Sequence, residues 1–224
     1  PKWSKDKCIE CGQCAIVCPH AVIRPFIVKN QENSIPLLGH SEYNFQILVS
    51  EEDCTSCGLC LNVCPGKDGI KALNFGSLTH DNQPYVNKMF QEYKNPELID
   101  KFTIKGSQLM SPKFEFSGAC AGCGETPYIK LLTQLFGNKL VIANATGCSS
   151  IYGGSAPSTP YLIPWANSLF EDNAEFGYGM YLTYNKMTNR IKNIMTNSYN
   201  SVDANVQKLY DEWQNNYNDY SVTT

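Results

Sequence analysis

The sequence predicts an α+β unit built around doubled cysteine runs, followed by an α/β unit. Three observations carry this. Eight of the eleven cysteines fall into two copies of one spacing. Short apolar stretches of strand character separate those copies. In the second half a helical pattern, an apolar strand and an uncharged glycine-rich loop follow one another, the order of an α/β fold.

The two cysteine runs come first. Cys8, Cys11, Cys14 and Cys18 are followed by Pro19; Cys54, Cys57, Cys60 and Cys64 are followed by Pro65. Each reads C-x2-C-x2-C-x3-C-P. Three thiolates so spaced sit on a tight loop that can wrap three corners of an iron-sulfur cubane. Gly12 and Gly58 let the backbone approach the inorganic sulfides. In two-cluster ferredoxins the fourth cysteine of each run ligates the other cluster. The expected sets are therefore Cys8, Cys11, Cys14 and Cys64 for one [4Fe-4S] cluster, and Cys54, Cys57, Cys60 and Cys18 for the other. Structural zinc would use two separated pairs, often with histidine, and fits the doubled run less well. His20 reads as a core or solvent-facing residue rather than a ligand. An odd cysteine count excludes a complete set of internal disulfides.

Residues 21–28 and 43–49 read as strands, and 71–75 closes a ferredoxin-like domain over 1–76. Residues 77–113 are polar, with turn signals, and are expected to be a connecting segment over a surface. Residues 125–136 read as a helix: Pro127 lies in its first turn, Ile129, Leu132 and Phe136 form its stripe, and Gly137 stops it. Residues 139–143 read as a buried parallel strand. From Leu140 to Phe170 there is no charged residue, which predicts buried loops approaching a ligand. Beyond Asn173 apolar residues recur at helical intervals (Phe176, Met180, Tyr184, Met187, Ile191, Ile194, Met195, then Val206, Leu209, Tyr210, Trp213) and are expected to pack in a core.

Composition bounds the function. The chain has 224 residues, 42% hydrophobic and 17% charged, with a net charge of −3. That is globular, with no basic footprint for nucleic acid. No membrane-length apolar run and no signal peptide are present, so neither a membrane nor export is expected. The first residue is Pro1, so the start is expected to be processed, cloned or partial. Cys120, Cys123 and Cys148 remain. They could hold a third metal centre that is one ligand short, or be free thiols.

Three stretches carry a resemblance. Phe114 to Tyr128 contains Cys120-Ala121-Gly122-Cys123-Gly124-Glu125. Ile142 to Pro157 contains Ala145-Thr146-Gly147-Cys148-Ser149-Ser150. Trp165 to Glu175 is the third. Together they resemble the pyruvate:ferredoxin (flavodoxin) oxidoreductases over nearly the whole chain. The resemblance implies a truncated thiamine diphosphate-binding domain over 114–224. It implies a third [4Fe-4S] cluster on Cys120, Cys123 and Cys148, with its fourth ligand beyond residue 224. It implies thiamine diphosphate contacts from Glu125 and Cys148, and Mg2+ ligands beyond residue 224. The implied activity is oxidative decarboxylation of pyruvate with coenzyme A, with ferredoxin or flavodoxin as acceptor. The remainder of the enzyme chain, a homodimer and an anaerobic cytoplasm are implied too, with a hydrogenosome-like organelle as the alternative. No catalytic residue is assigned, and the piece alone is expected to be inactive. The family usually carries a longer, Gly-containing loop where only Leu162-Ile163 joins Tyr161 to Pro164. Two other readings stay open: a stand-alone electron carrier with a non-catalytic C-terminal half, and an oxidoreductase for another 2-oxoacid.

Overall fold

The computed structural model describes residues 1–155, 157–168 and 170–217. They fall into two compact units, Pro1–Leu169 and Phe170–Thr224. The sequence boundary at 113/114 lies inside the first of these.

The first unit begins with β1 (Lys2–Trp3), which pairs antiparallel with β5 (Leu73–Asn74). Between them, α1 (Gln13–Ile16) and α2 (Leu59–Val63) each grow out of a cysteine run. A three-stranded sheet, in the order β2 (Ile23–Val28), β4 (His40–Val49), β3 (Ile35–Leu37), fills the space between the runs. All its pairings are antiparallel.

Every residue of β2 is buried, so the strand is covered on both faces. Ile23 and Ile27 join Val22, Phe45, Ile47 and Leu73 in the main core, with Cys18 and Cys60 among them. Phe26 and Val28 point the other way, onto Val86 and Met89. Those two belong to α3 (Gln83–Glu92). This corrects the expectation for 77–113. The segment carries α3 and also α4 (Ile104–Leu109), and buries Val86, Met89 and Leu109. Its few apolar residues are diluted by polar ones, but at three-residue spacing they share a helix face.

Next come α5 (Thr126–Phe136), β6 (Ile142–Ala145), α6 (Cys148–Gly153) and β7 (Trp165–Ser168). β6 and β7 are parallel, and Ile142 pairs with Trp165. β6 is half-buried rather than buried, because its sheet has two strands. Phe114, Tyr152, Tyr161 and Ile163 make a separate small core. The Tyr161 ring stacks on Trp165, with centroids 5.3 Å apart, and the Leu162 N–H bonds to the Lys113 carbonyl at 2.8 Å. The short Leu162-Ile163 connection is thus part of the packing.

The helix over 126–136 forms as predicted, but its buried face is not the predicted one. Leu132 and Phe136 are exposed, while Thr126, Lys130, Thr133 and Gln134 are buried. In the second unit, α7 (Phe170–Ser198) and α8 (Ala204–Asn216) are helical as expected, with Asp203 capping α8 through the Asn205 and Val206 N–H groups. Their apolar residues do not form the expected core. Phe176, Met180, Tyr184, Met187, Ile191, Ile194 and Leu209 are exposed. Among the described residues of this unit, two helices alone leave one side of each stripe uncovered.

Candidate iron-sulfur centres

The two cysteine loops have the same local construction. The residue two after the first cysteine has positive φ in both: Glu10 at 57° and Ser56 at 55°. Its N–H turns back to the sulfur, Glu10 to Cys8 and Ser56 to Cys54, each at 3.4 Å. Gly12 at 76° and Gly58 at 80° follow, each at the start of its short helix. Non-glycine side chains are strained there.

The folded loops surround two hollows. One is lined by Cys8, Cys11, Cys14 and Cys64. The other is lined by Cys18, Cys54, Cys57 and Cys60. Each hollow thus takes three thiols from one run and the fourth from the other. The rest of the first lining is largely apolar, with Trp3, Phe45, Ile47 and Leu73. Among the described residues no three Cys, His, Asp or Glu side chains converge tightly enough to hold a single metal ion. Thiols standing around a hollow suit a cubane, which offers its four corners outward. The buried indole Nε1 of Trp3 belongs to the same lining as Cys8 and is directed at its sulfur. The Ala72 N–H reaches Cys64 Sγ at 3.3 Å. Donors aimed at sulfur are what an iron-bound thiolate requires.

Without metal, three of these thiols resist ionisation: Cys8, Cys14 and Cys60. Burial, then the neighbouring Cys8 and Cys11, pushes the Cys14 thiol far up. Burial, then Cys18, lifts Cys60 to about 11. Burial also raises Cys8, against the Glu10 N–H and the Trp3 indole. Cluster assembly must therefore release protons.

The remaining cysteines are arranged differently. Cys120 and Cys148 are exposed and Cys123 is half-buried. Cys123 sits just before α5. Burial pushes its thiol up, but the Thr126 and Glu125 N–H groups outweigh it, and the net shift is downward. Cys148 opens α6, which also carries Tyr152. Tyr152 and Tyr161 both feel the Glu125 carboxylate: burial first, then Glu125, raises the Tyr161 phenol to about 12 and Tyr152 further. The buried hydroxyl of Ser117 lacks a partner.

The Cys120 loop lies beside the second hollow. His20 Nε2 donates to the Ala119 carbonyl at 2.9 Å, and Thr55 Oγ1 lies 3.4 Å from His20 Nδ1. His20 is buried and lines the second hollow. A Cβ added to Gly122 would lie 3.8 Å from the Cys57 Cβ. The Arg24 guanidinium pairs with Glu115 and lies 4.0 Å from the centre of the Phe90 ring. Sequence reasoning missed Arg24, Trp3 and Lys130. The polar stripe Thr126, Lys130, Thr133 on a helix was the available signal for the last.

A 4Fe-4S dicluster domain is recognised over residues 7–67. A pyruvate-flavodoxin oxidoreductase of Klebsiella pneumoniae is 46% identical over 213 residues, covering 88% of this chain. A pyruvate:ferredoxin oxidoreductase of Moorella thermoacetica is 46% identical over 83% of the chain. The chain is a homologue of one segment of these pyruvate oxidoreductases. It spans 18% and 17% of the length of those two relatives. A mitochondrial pyruvate dehydrogenase [NADP(+)] of Euglena gracilis is 39% identical over 97% of the chain, which spans 13% of it. The homology runs well beyond residue 67, so it includes the Cys120, Cys123 and Cys148 region. Among the described residues no helix is long and apolar enough to cross a membrane.

Proposed function

We propose that this chain is the electron-relay part, and the beginning of the thiamine diphosphate-binding domain, of an enzyme that oxidises pyruvate with coenzyme A to acetyl-CoA and CO2. The carrying observation is the pair of hollows, each lined by four thiols in crossed sets. When bound, the [4Fe-4S] clusters supply one-electron capacity. The protein holds them at fixed positions, excludes water with apolar walls, and aims N–H groups at the sulfurs. Cys120, Cys123 and Cys148 would contribute to a third cluster whose fourth ligand comes from elsewhere. Glu125 and Cys148 would contact thiamine diphosphate, with Mg2+ bound outside this segment. The unpartnered buried hydroxyl of Ser117 supports a polar group in this region.

The contacts of His20 and Gly122 favour the Cys18, Cys54, Cys57 and Cys60 centre as the neighbour of the third one. The Cys8, Cys11, Cys14 and Cys64 centre would then face ferredoxin or flavodoxin. The remainder of the enzyme chain and a second copy complete the assembly, in an anaerobic cytoplasm or a hydrogenosome-like organelle.

Anaerobic reconstitution with iron and sulfide tests the relay. About eight irons per chain, from two cubanes, with paramagnetic signals on reduction, are expected. A colourless zinc protein, or one whose cysteines are cross-linked, refutes it. The chain alone should form no acetyl-CoA from pyruvate; if it does, the proposed division between this segment and the rest of the enzyme is wrong.

A further inference from the structure

Lys130 stands on the buried face of α5 and is 2% exposed. Its Nζ donates to the backbone carbonyls of Ala15, of Ile16 at 3.3 Å and of Cys18 at 3.0 Å. These are the last residues of α1 and the fourth cysteine of the first run. No carboxylate is paired with it: the ion pairs among the described residues are Lys2–Glu51, Arg24–Glu115, His80–Glu52 and Lys105–Glu10. A buried ammonium without an anion is costly, and carbonyl dipoles offset only part of that cost.

The comparison with its neighbours is informative. Two other largely buried cations lie near the cysteine loops. Arg24 is cancelled by Glu115, and Lys105 by Glu10 at 2.5 Å. Lys130 differs in having no such partner among the described residues. Among the described residues, Cys18 is the candidate ligand whose own carbonyl Lys130 bonds. Cys18 supplies the fourth thiol to the second hollow. A [4Fe-4S] cluster with four thiolates is an anion that gains a further negative charge on reduction.

We infer that Lys130 is the counter-charge of the cluster held by Cys18, Cys54, Cys57 and Cys60, and makes it easier to reduce than its twin. It is a positioning and tuning residue, acting through space and through the Cys18 backbone. The inference rests on the cluster assignment proposed above. A downhill step into this centre would follow for electrons arriving from the Cys120 and Cys123 side.

The test is potentiometric titration of the reconstituted full chain, followed by electron paramagnetic resonance. Iron content reports on the cluster assignment and the midpoint potential reports on Lys130, so the two can fail separately. Lys130→Gln keeps a donor for the carbonyls and removes the charge. It should retain about eight irons yet shift the reduction equilibrium of the Cys18 cluster at least tenfold toward the oxidised form, about 59 mV for one electron. The twin should shift less, and Lys130→Arg should restore the native value. Unchanged potentials in Lys130→Gln, or equal shifts in both clusters, overturn the inference. Should Lys130→Gln lose its iron, two other chains decide. Cys11→Ala keeps the Cys18 cluster and must titrate at higher potential than Cys57→Ala, which keeps the other; the reverse order overturns it.

Discussion

Crossed ligation makes a quantitative prediction for double substitutions. Cys18 belongs by sequence to the first run, but lines the hollow of Cys54, Cys57 and Cys60. Cys11 belongs to the other hollow. Each hollow takes about four irons, so the loaded pair holds about eight. Cys18→Ala should drop the content to about four. Adding Cys57→Ala should change little, because both residues serve one cluster. Adding Cys11→Ala instead should take the content to near zero. If each run held its own cluster the pattern would invert: Cys18 with Cys11 would stay near four, and Cys18 with Cys57 would fall to near zero. Iron and sulfide analysis of anaerobically reconstituted protein, with counting of reduced-cluster spins, distinguishes the two. The inverted pattern would refute the assignment even if every single variant behaved as expected.

Other predictions follow from packing and charge. Arg24→Met leaves the Glu115 carboxylate, 21% exposed, without its partner, and should lower stability by about 3 kcal/mol in denaturant titration; Arg24→Met with Glu115→Gln should recover part of it, and full additivity would argue against the pair. In Gly66→Ala a new Cβ would sit 1.8 Å from the Ile70 carbonyl oxygen, at a φ of +60°. The chain must shift beside Cys64, so iron should fall from about eight toward about four; a fully loaded variant would contradict this. Burial, then Glu125, raises the Tyr161 phenol from 10 to about 12. The associated stability is complete below pH 10 and is lost as pH climbs toward 12. Tyr161→Phe should remove that part of the alkaline loss, read from unfolding midpoints across the window; an equal decline in both proteins would contradict it.

The cysteine spacing made the two hollows legible because ligand geometry is local: three thiols per loop are set by seven residues, and the dicluster rule supplies the fourth. The strands flanking the runs were legible from their apolar pattern. The cover of β2 was not. Its second face is closed by Val86 and Met89 of α3, a segment whose average polarity hides one apolar stripe. α5 misled in the opposite sense. Its apolar residues Leu132 and Phe136 suggested the inward face, yet the helix buries Thr126, Lys130 and Thr133. Periodicity reports that two faces differ, not which one meets a partner. Here the partner surface is the end of α1, whose carbonyls demand donors. The same limit applies to α7, where a regular stripe from Phe176 to Ile194 is exposed.

The inverted face of α5 also bears on how this segment can carry electrons. Cys123 precedes the helix and Lys130 lies one turn beyond Thr126, so one rigid element joins a candidate ligand of the third centre to the backbone of Cys18. His20 holds the start of the same loop through the Ala119 carbonyl. An apolar interface would resist sliding less, because hydrophobic contact is not directional. Three carbonyl bonds to one ammonium and one imidazole bond fix a register. Transfer between centres depends steeply on their separation, so a polar, hydrogen-bonded interface is the kind that would hold it constant while the rest of the enzyme moves.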